Sequence, residues 1–518
     1  MATMNVMREA AGALAGLLAG AVALGVSELT AAATGARGAP VVAVGETAIN
    51  LTPVPVKEFA ITHFGTHDKE ALIAGILVLL AGFAAVIGLL ALRRLAFGLA
   101  GLAAFAAVGV TAAIRLPGAS PADSVPTLTG AVVAMVALCQ LMRKIQVVWK
   151  VSRGTFVLPT GMDRRRLLIA GAGTAVLAAG AGGLGRLLLG RGGTAPGQVR
   201  LPAPALRAAP VPAGADLRIP GLTPFVTPNA SFYRVDTDLV LPQLSPEDWT
   251  LTIDGMVDRE LEISFAELLR MPLTEADITL VCVSNQVGGT YNGNARWLGV
   301  PLAGLLRRAG VQAGADQVLS SATDGMTIST PVETIMDGPP PGGQSALLAV
   351  GMNGQPLPVA HGFPARMVVP GLYGYVSATK WVTKLTLTTF TRQKAYWTQR
   401  GYTAQAPVKT ESRIDVPTPL AQVKSGPVTV AGVAWAPRQG IAAVEVSTDN
   451  GPWHQATLAA AGGLDTWRQW RWDWDAAPGL HTLRVRATDQ TGTTQTAQRA
   501  GPVPNGASGW DSTVVTVI

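Results

Sequence analysis

The stretch LVCVSNQVGG, Leu280 to Gly289, holds one of only two cysteines in a chain of 518 residues. The other, Cys139, lies in an apolar run far upstream, so Cys282 has no obvious disulfide partner. Three roles are open to it. A solitary thiol is often simply buried, because cysteine packs as a small hydrophobe. As a nucleophile it would need a base, and the later chain offers only His361, His454 and His481. As a metal ligand it is too few for a protein-only zinc site, which takes about four ligands. One thiolate does suffice where an organic cofactor brings the remaining soft ligands to a redox-active metal. No G-x-S-x-G, H-E-x-x-H, Walker or C-x-x-C-H sequence is present, so hydrolase, nucleotide and attached-haem readings have no anchor.

Two other patterns carry less. His63 and His67 are spaced for one helix face and could hold a metal or haem, though a solvated pair at a membrane surface fits equally. Gly180, Gly182 and Gly185 match G-x-G-x-x-G, but no strand precedes them, and close helix packing is the better account.

The elements that must position Cys282 follow from hydropathy. The chain is 48% hydrophobic and only 14% charged. Five windows approach or exceed the ~20 residues of a membrane-spanning helix: 10–29, 71–92, 95–114, 125–142 and 167–189. The first is the weakest, because Ser27 and Glu28 interrupt it. Arg8, Arg93, Arg94, Arg143, Lys144, Lys150, Arg153 and Arg164–Arg166 fall on one side if the N-terminus is cytoplasmic. An odd number of spans then places the later chain outside the cytoplasm. These loop charges also account for the net charge of +7, which leaves nucleic-acid binding without support. The segment GMDRRRLLIAGAGTAVLAAG, from Gly161, resembles a twin-arginine export signal, which would suit a domain that acquires its cofactor before export.

Residues 191–228 are rich in Pro, Ala and Gly and read as an extended linker. From 229 to 405, β-prone runs such as WTLTIDGMV alternate with helical pieces such as SFAELLRM, giving an α+β domain. From 406 to 518, short strands separated by Asp-Asn-Gly and Asp-Gln-Thr-Gly turns predict an antiparallel, immunoglobulin-like β-sandwich.

LVCVSNQVGG, followed by ARWLGVPLAGLLRRAG, TDGMTISTP, LLAVGMNGQPLPVAHGFPARMVVPGLYGYVSATKWV and VAGVAWAPRQGIAAVEVSTDNGPWHQATL, resembles the sulfite oxidase family of molybdenum enzymes. The likeness runs from about Phe232 to the C-terminus; the five spans resemble the multi-span anchors fused to some bacterial members. The resemblance implies a molybdopterin cofactor with Cys282 as the protein ligand to molybdenum. It implies that Phe232 and Tyr233 flank the pterin and that Arg234 lies near metal and substrate. Asp324, His361, Arg366, Ser377, Thr379 and Lys380 are then the residues that bind pterin and phosphate, and Tyr402 the hydroxyl near the reacting oxygen. Arg438 falls near an anion-binding arginine of the family, one residue short in spacing.

Two departures bear on substrate. Val287 stands where sulfite oxidases of the family have an arginine, and Asp236 where animal and plant members have histidine. The implied protein is a multi-pass enzyme of the bacterial cell membrane, catalytic side outward. It would oxidise sulfite to sulfate, pass electrons to a separate cytochrome or quinone, and form a homodimer through its C-terminal domain. Two alternatives stand beside it: reduction of an S-oxide or N-oxide, and a non-catalytic, membrane-tethered assembly protein that binds no metal.

Overall fold

The computed structural model describes residues 2–34, 38–53, 56, 59, 68–116, 119–148, 151–152, 155–156, 161–189 and 196–518. His63 and His67 lie outside them. The chain forms two compact units, Met1–Gly193 with Thr237–Leu241, and Thr194–Asp236 with Pro242–Ile518.

The first unit is helical. Five helices are long and apolar enough to cross a membrane: Val6–Thr34, Lys69–Arg93, Leu95–Arg115, Pro121–Gln146 and Arg165–Leu188. Each overlaps one of the windows read from hydropathy. The first helix is continuous through its polar residues because the Ser27 hydroxyl donates to the Pro126 carbonyl at 2.8 Å, so the interruption is satisfied within the bundle. Close crossings rest on small residues: a side chain at Gly16 would strike the Ala84 carbonyl and Gly88. Of the three glycines in the false dinucleotide pattern, Gly185 abuts Glu28 and Gly182 faces Gly25, whereas Gly180 faces open space. A sixth, shorter helix, Pro40–Leu51, was not signalled by span length.

The second unit contains two sheets of the α+β region and two of the C-terminal region. In one, Val382–Thr388 runs parallel to Thr250–Gly255 and antiparallel to Gln317–Ala322, with Leu261–Ser264 and Thr327–Pro331 at the edges. In the other, Thr274–Val281, Asn292–Pro301 and Leu347–Met352 pair antiparallel, and Arg366–Val368 joins the last of these. Short helices punctuate the strands. Phe265–Arg270 begins at Ser264 with a capping box, the Ser264 hydroxyl accepting from Glu267 N–H while the Glu267 carboxylate accepts from Ser264 N–H.

The C-terminal sheets, Glu411–Val416/Gly426–Trp435/Arg468–Ala476/Thr457–Leu458 and Gln422–Val423/Asp511–Val517/Gly479–Asp489/Ile441–Thr448/Trp453–Gln455, share one core. Val430 and Trp470 of the first face Val446, Val485 and Val515 of the second, forming a sandwich. The Asp-Asn-Gly signal is a tight hairpin turn, with Asp449 and Asn450 at φ of 53° and 61°.

The expected linker is the main correction. From residue 196 it is a strap bonded to the second unit rather than a loose tether. Ala205 N–H donates to the Leu273 carbonyl at 2.8 Å, Leu217 N–H to Gln469 Oε1 at 2.6 Å, and Thr227 N–H to the Asn294 carbonyl at 2.8 Å. Proline keeps the backbone extended, and an extended backbone can hydrogen-bond to its neighbours as an edge strand does. Phe225, only 2% exposed, anchors the strap, and its carbonyl accepts the indole N–H of Trp467 at 2.8 Å. By bonding to both regions the strap helps make the two expected domains one unit. Phe225→Ala should cost about 3–5 kcal/mol of stability in this unit. Limited proteolysis should then cut within 196–228, where the unaltered protein resists.

Candidate functional site

Cys282 follows the strand Thr274–Val281, whose last six residues are buried, so the strand delivers its end to the interior. There Cys282 N–H donates to the Tyr291 carbonyl at 2.9 Å and Ser284 N–H points at the sulfur at 3.4 Å. The thiol is buried, and burial raises its pKa; Ser284 N–H and the Lys380 charge oppose that rise. Asn285 on this loop and Asn292 at the head of the next strand, both buried, carry amide nitrogens with no hydrogen-bond partner among the described residues.

Two largely buried cations, Arg366 and Lys380, and the exposed Arg234 gather near it. Arg366, on a three-residue strand, donates to the carbonyls of Met367, His361 and Ala378 at 3.4, 3.1 and 3.3 Å and lies over the Trp297 ring at 5.0 Å. Of its five N–H groups, that leaves two for a ligand. Lys380 and Arg234 share one carboxylate: Lys380 Nζ donates to Asp236 at 3.0 Å, and Arg234 grips it from Nε at 2.6 Å and Nη2 at 3.3 Å. Burial above all takes Arg366 down to about 10 and Lys380 down to about 8, the latter despite Asp236 and with added repulsion from Arg366 and Arg234.

His361 is buried, and burial with the Arg366 charge lowers it to about 4. Its Nε2 faces the Asn229 carbonyl at 3.1 Å; a carbonyl only accepts, so Nε2 carries the hydrogen and Nδ1 the lone pair. The ring is therefore neutral, and it contributes a second donor only if an anion nearby raises its pKa.

Phe232 stacks on Tyr233 at 5.2 Å and meets Trp297 and His361 edge-on at 5.8 and 5.5 Å. Gly293 makes room for it, since a Cβ there would lie 2.6 Å from the Phe232 ring. Burial and the neighbouring Cys282 charge raise the Tyr233 phenol.

The remaining expected residues divide. The Ser377 hydroxyl donates to the Leu372 and Tyr373 carbonyls, both at 3.0 Å, and Thr379 pairs with Ser320 at 2.6 Å, so these side chains brace the loop that carries Lys380. Asp324 accepts Met326 N–H at 2.9 Å within its own turn. Tyr402 packs with Tyr375 and Trp397, with centroids 5.3 and 5.4 Å away. Arg438 bonds Asp465 at 3.3 Å and the Gln344 carbonyl at 2.9 Å, so its charge is answered within the protein.

Sequence reading missed three contributors. Trp297 supports both Phe232 and Arg366. Trp381, beside Lys380, adopts a left-handed φ of 50° with its indole donating to the Val359 carbonyl at 2.9 Å, a local strain with no glycine to signal it. Arg413 reaches from the sandwich to the Gly289 carbonyl at 2.7 Å and Asn292 Oδ1 at 2.9 Å, holding the Cys282 loop. An arginine in a strand gives no such warning.

The residues fit a thiolate-ligated metal with an anionic organic cofactor. Lys380 and Arg234 share the Asp236 carboxylate while Arg366 is met by carbonyls and an indole face, and among the described residues no cluster of three or more His, Cys, Asp or Glu side chains could hold a metal alone. A single sulfur next to a surplus of buried positive charge calls for a ligand that brings both further metal ligands and negative charge.

Residues 238–397 match the oxidoreductase molybdopterin binding domain. The uncharacterized oxidoreductase YuiH of Bacillus subtilis (strain 168) is 32% identical over 156 residues, which cover 30% of this chain and 72% of that protein. The chain belongs to the sulfite oxidase family of molybdopterin-binding oxidoreductases. Mitochondrial sulfite oxidase of Macaca fascicularis is 28% identical over 309 residues, 50% of this chain and 55% of the relative. The chain thus spans about half the length of the mitochondrial sulfite oxidases it matches. Among solved structures, the sulfane dehydrogenase SoxCD of Paracoccus pantotrophus is 25% identical, covering 57% of this chain and 84% of that one at a TM-score of 0.49. Cys282, Asp324, His361, Arg366, Ser377, Thr379 and Lys380 lie inside the segment matched to the family domain; Phe232, Tyr233, Arg234, Tyr402 and Arg438 lie outside it.

His361 gives a direct test of the buried charge. Its depressed pKa means the native state binds fewer protons than the unfolded state between pH about 4 and 6.5. Stability should fall as pH drops through that window. In His361→Gln that part of the slope should vanish in urea unfolding followed at successive pH values.

Proposed function

We propose that the protein is a membrane-anchored molybdenum oxidoreductase that transfers an oxygen atom to or from a small substrate, with sulfite oxidation as the leading reaction. One observation carries this reading: a buried, solitary thiol lies within the field of a buried cationic set whose charge the protein does not fully answer. When bound, the molybdenum cofactor supplies the two-electron change that oxygen-atom transfer requires.

The chain's own groups bind and orient. Arg366 offers two N–H groups to a phosphate, Lys380 offers its ammonium, and His361 gains charge as the anion settles. Arg234, the most exposed of the cations at 39%, is suited to meet an incoming oxyanion. The likeness to sulfite oxidases gives Tyr402 the hydroxyl that would hydrogen-bond the transferred oxygen. The aromatic wall of Phe232, Tyr233 and Trp297 excludes water, which strengthens each of these interactions.

Basic loops between five apolar helices support a bacterial membrane protein with the second unit outside the cytoplasm. The tandem arginines Arg164–Arg166 support export after cofactor insertion. Electrons leave to a separate cytochrome or quinone, no haem being expected in this chain, and the C-terminal sandwich, read as immunoglobulin-like, is the expected homodimer contact.

The second reading, reduction of an S-oxide or N-oxide, is favoured by Asp236. That carboxylate is 2% exposed and ion-pairs with both Arg234 and Lys380, and Val287 adds no charge, so a neutral oxide meets less resistance than it would in a fully cationic pocket.

Purified protein should contain about one molybdenum per chain, lost in Cys282→Ser, and should give a Mo(V) paramagnetic signal on anaerobic mixing with sulfite. Molybdenum without that signal, together with turnover of a sulfoxide by a reduced dye, would establish the reverse reaction; a chain without molybdenum would leave only the non-catalytic reading. Asp236→Asn should lower KM for sulfite on the order of tenfold, about 1.4 kcal/mol, while kcat changes little. An unchanged KM would remove Asp236 from the account of specificity.

A further inference from the structure

A second polar cluster lies behind the Cys282 loop, where the sandwich meets it. Asp511 accepts Ile414 N–H at 2.9 Å and Ser512 N–H at 2.8 Å, and its carboxylate abuts Gly288 of the Cys282 loop. Glu411, which opens the strand Glu411–Val416, is 4% exposed, and its Oε1 has no hydrogen-bond partner among the described residues. Directly across the ladder stands Trp435, 1% exposed, whose indole nitrogen also lacks one. Opposed residues on an antiparallel pair share a face at roughly 5 Å between Cβ atoms. A buried carboxyl oxygen and a buried indole N–H thus stand on opposed residues of one ladder, neither satisfied by a described residue, and each calls for an explanation.

The path from this pair to the metal loop is short. Segment 406–408 is bonded to 371–373, with Tyr373 N–H donating to the Ala406 carbonyl and Val408 N–H to the Gly371 carbonyl, both at 2.9 Å. The Tyr373 hydroxyl accepts the backbone N–H of Lys409 and lies within electrostatic reach of both Cys282 and Glu411. At the next residue, a Cβ on Gly374 would stand 3.7 Å from the Val281 carbonyl and the Tyr233 hydroxyl. The Tyr373 phenol thus lies within the field of both Cys282 and Glu411. The charged groups around Glu411 are Lys409, whose ammonium is bonded to Asn505 and the Gly506 carbonyl, and Asp511 from the opposite sheet; Arg413 and Arg499 act on Asp511.

We infer that Glu411 is a proton-storing residue coupled to the metal centre at Cys282, holding one proton more when that centre is reduced than when it is oxidised. This rests on the reading that Cys282 binds molybdenum. Added electrons make the centre more negative, and a buried acid within reach of the same tyrosine then keeps its proton more tightly. The proton comes from solvent and converts the Glu411 carboxylate to carboxyl, with no other bond changed. Burial, with the Asp511 charge and against that of Lys409, takes Glu411 up to about 8, so in the oxidised protein it is neutral at pH 6 and ionised near pH 10.

The test is reduced-minus-oxidised infrared difference spectroscopy on the molybdenum-loaded full chain, with dithionite as reductant. At a pH of about 9 the native protein should gain a carboxylic C=O band on reduction. Glu411→Gln should lack that band, and at pH 6 neither protein should show it. Glu411→Asp, which keeps the carboxyl, should move the band in frequency and serves if the glutamine variant does not fold. A band that persists unchanged in Glu411→Gln, or none in the loaded native protein, overturns the coupling while leaving the metal reading intact. A chain that binds no molybdenum overturns both, and metal analysis of the same samples separates the two failures.

Discussion

Buried positive charge that the protein answers only in part is the constraint on which the second unit depends. Taking a cation out of water costs several kcal/mol, and removing its partner makes matters worse. Arg366 is sustained by three carbonyls and an indole face, which are dipoles and a quadrupole rather than charges. Lys380 and Arg234 divide a single carboxylate. Burial lowers the pKa values of Arg366, Lys380 and His361, and neighbouring positive charge adds to the drop for Lys380 and His361. A fold that maintained this imbalance without an anionic ligand would be carrying an avoidable cost. The pocket is better understood as half of an ion pair, with the cofactor as the other half.

That imbalance also explains why so much of the surrounding structure braces backbone. Ser377 and Thr379 spend their hydroxyls on the loop before Lys380, and Trp381 holds a strained φ next to it. Arg413 ties the Cys282 loop to the sandwich and donates to Thr223 of the strap at 3.0 Å, while its own charge is met by Asp415 at 2.6 Å. One buried arginine therefore joins the Cys282 loop, strap and sandwich. The sandwich is accordingly part of the site's scaffold, and a fold that separated it from the α+β region would leave the Cys282 loop without that support.

Much of this was legible in the chain, and what was not has identifiable causes. The apolar windows marked each long apolar helix among the described residues, because a run of that length and composition is read directly from the chain. Turn signals such as Asp-Asn-Gly marked the sandwich strands. The strap was misjudged because proline and alanine content describes backbone stiffness, whereas docking was decided by a few anchors, Phe225 above all, that composition averages away. Within the site, motif order singled out Phe232, Tyr233, His361 and Arg366, which the fold packs against one another and Trp297. It said nothing of which face each side chain uses: Ser377, Thr379 and Asp324 are matched by pattern, yet Ser377 donates to the Leu372 carbonyl, Thr379 pairs with Ser320 and Asp324 accepts Met326 N–H. Arg438 shows the same limit, since an arginine's position in a motif does not reveal that Asp465 already holds it.

The charge balance also bears on the direction of catalysis. In a pocket meant for a dianion, each added cation helps binding and each carboxylate opposes it, so Val287 and Asp236 both work against sulfite. Asp236 is not a passive loss, however. By holding Lys380 and Arg234 together it fixes two long side chains that would otherwise spend entropy and repel each other. A preorganised pair that is partly neutralised binds a dianion less tightly but in a defined orientation, and it releases a charged product more readily. Asp236 is therefore compatible with turnover of sulfite as well as with a neutral oxide, and what separates the two is how strongly the substrate binds rather than whether the site can orient it.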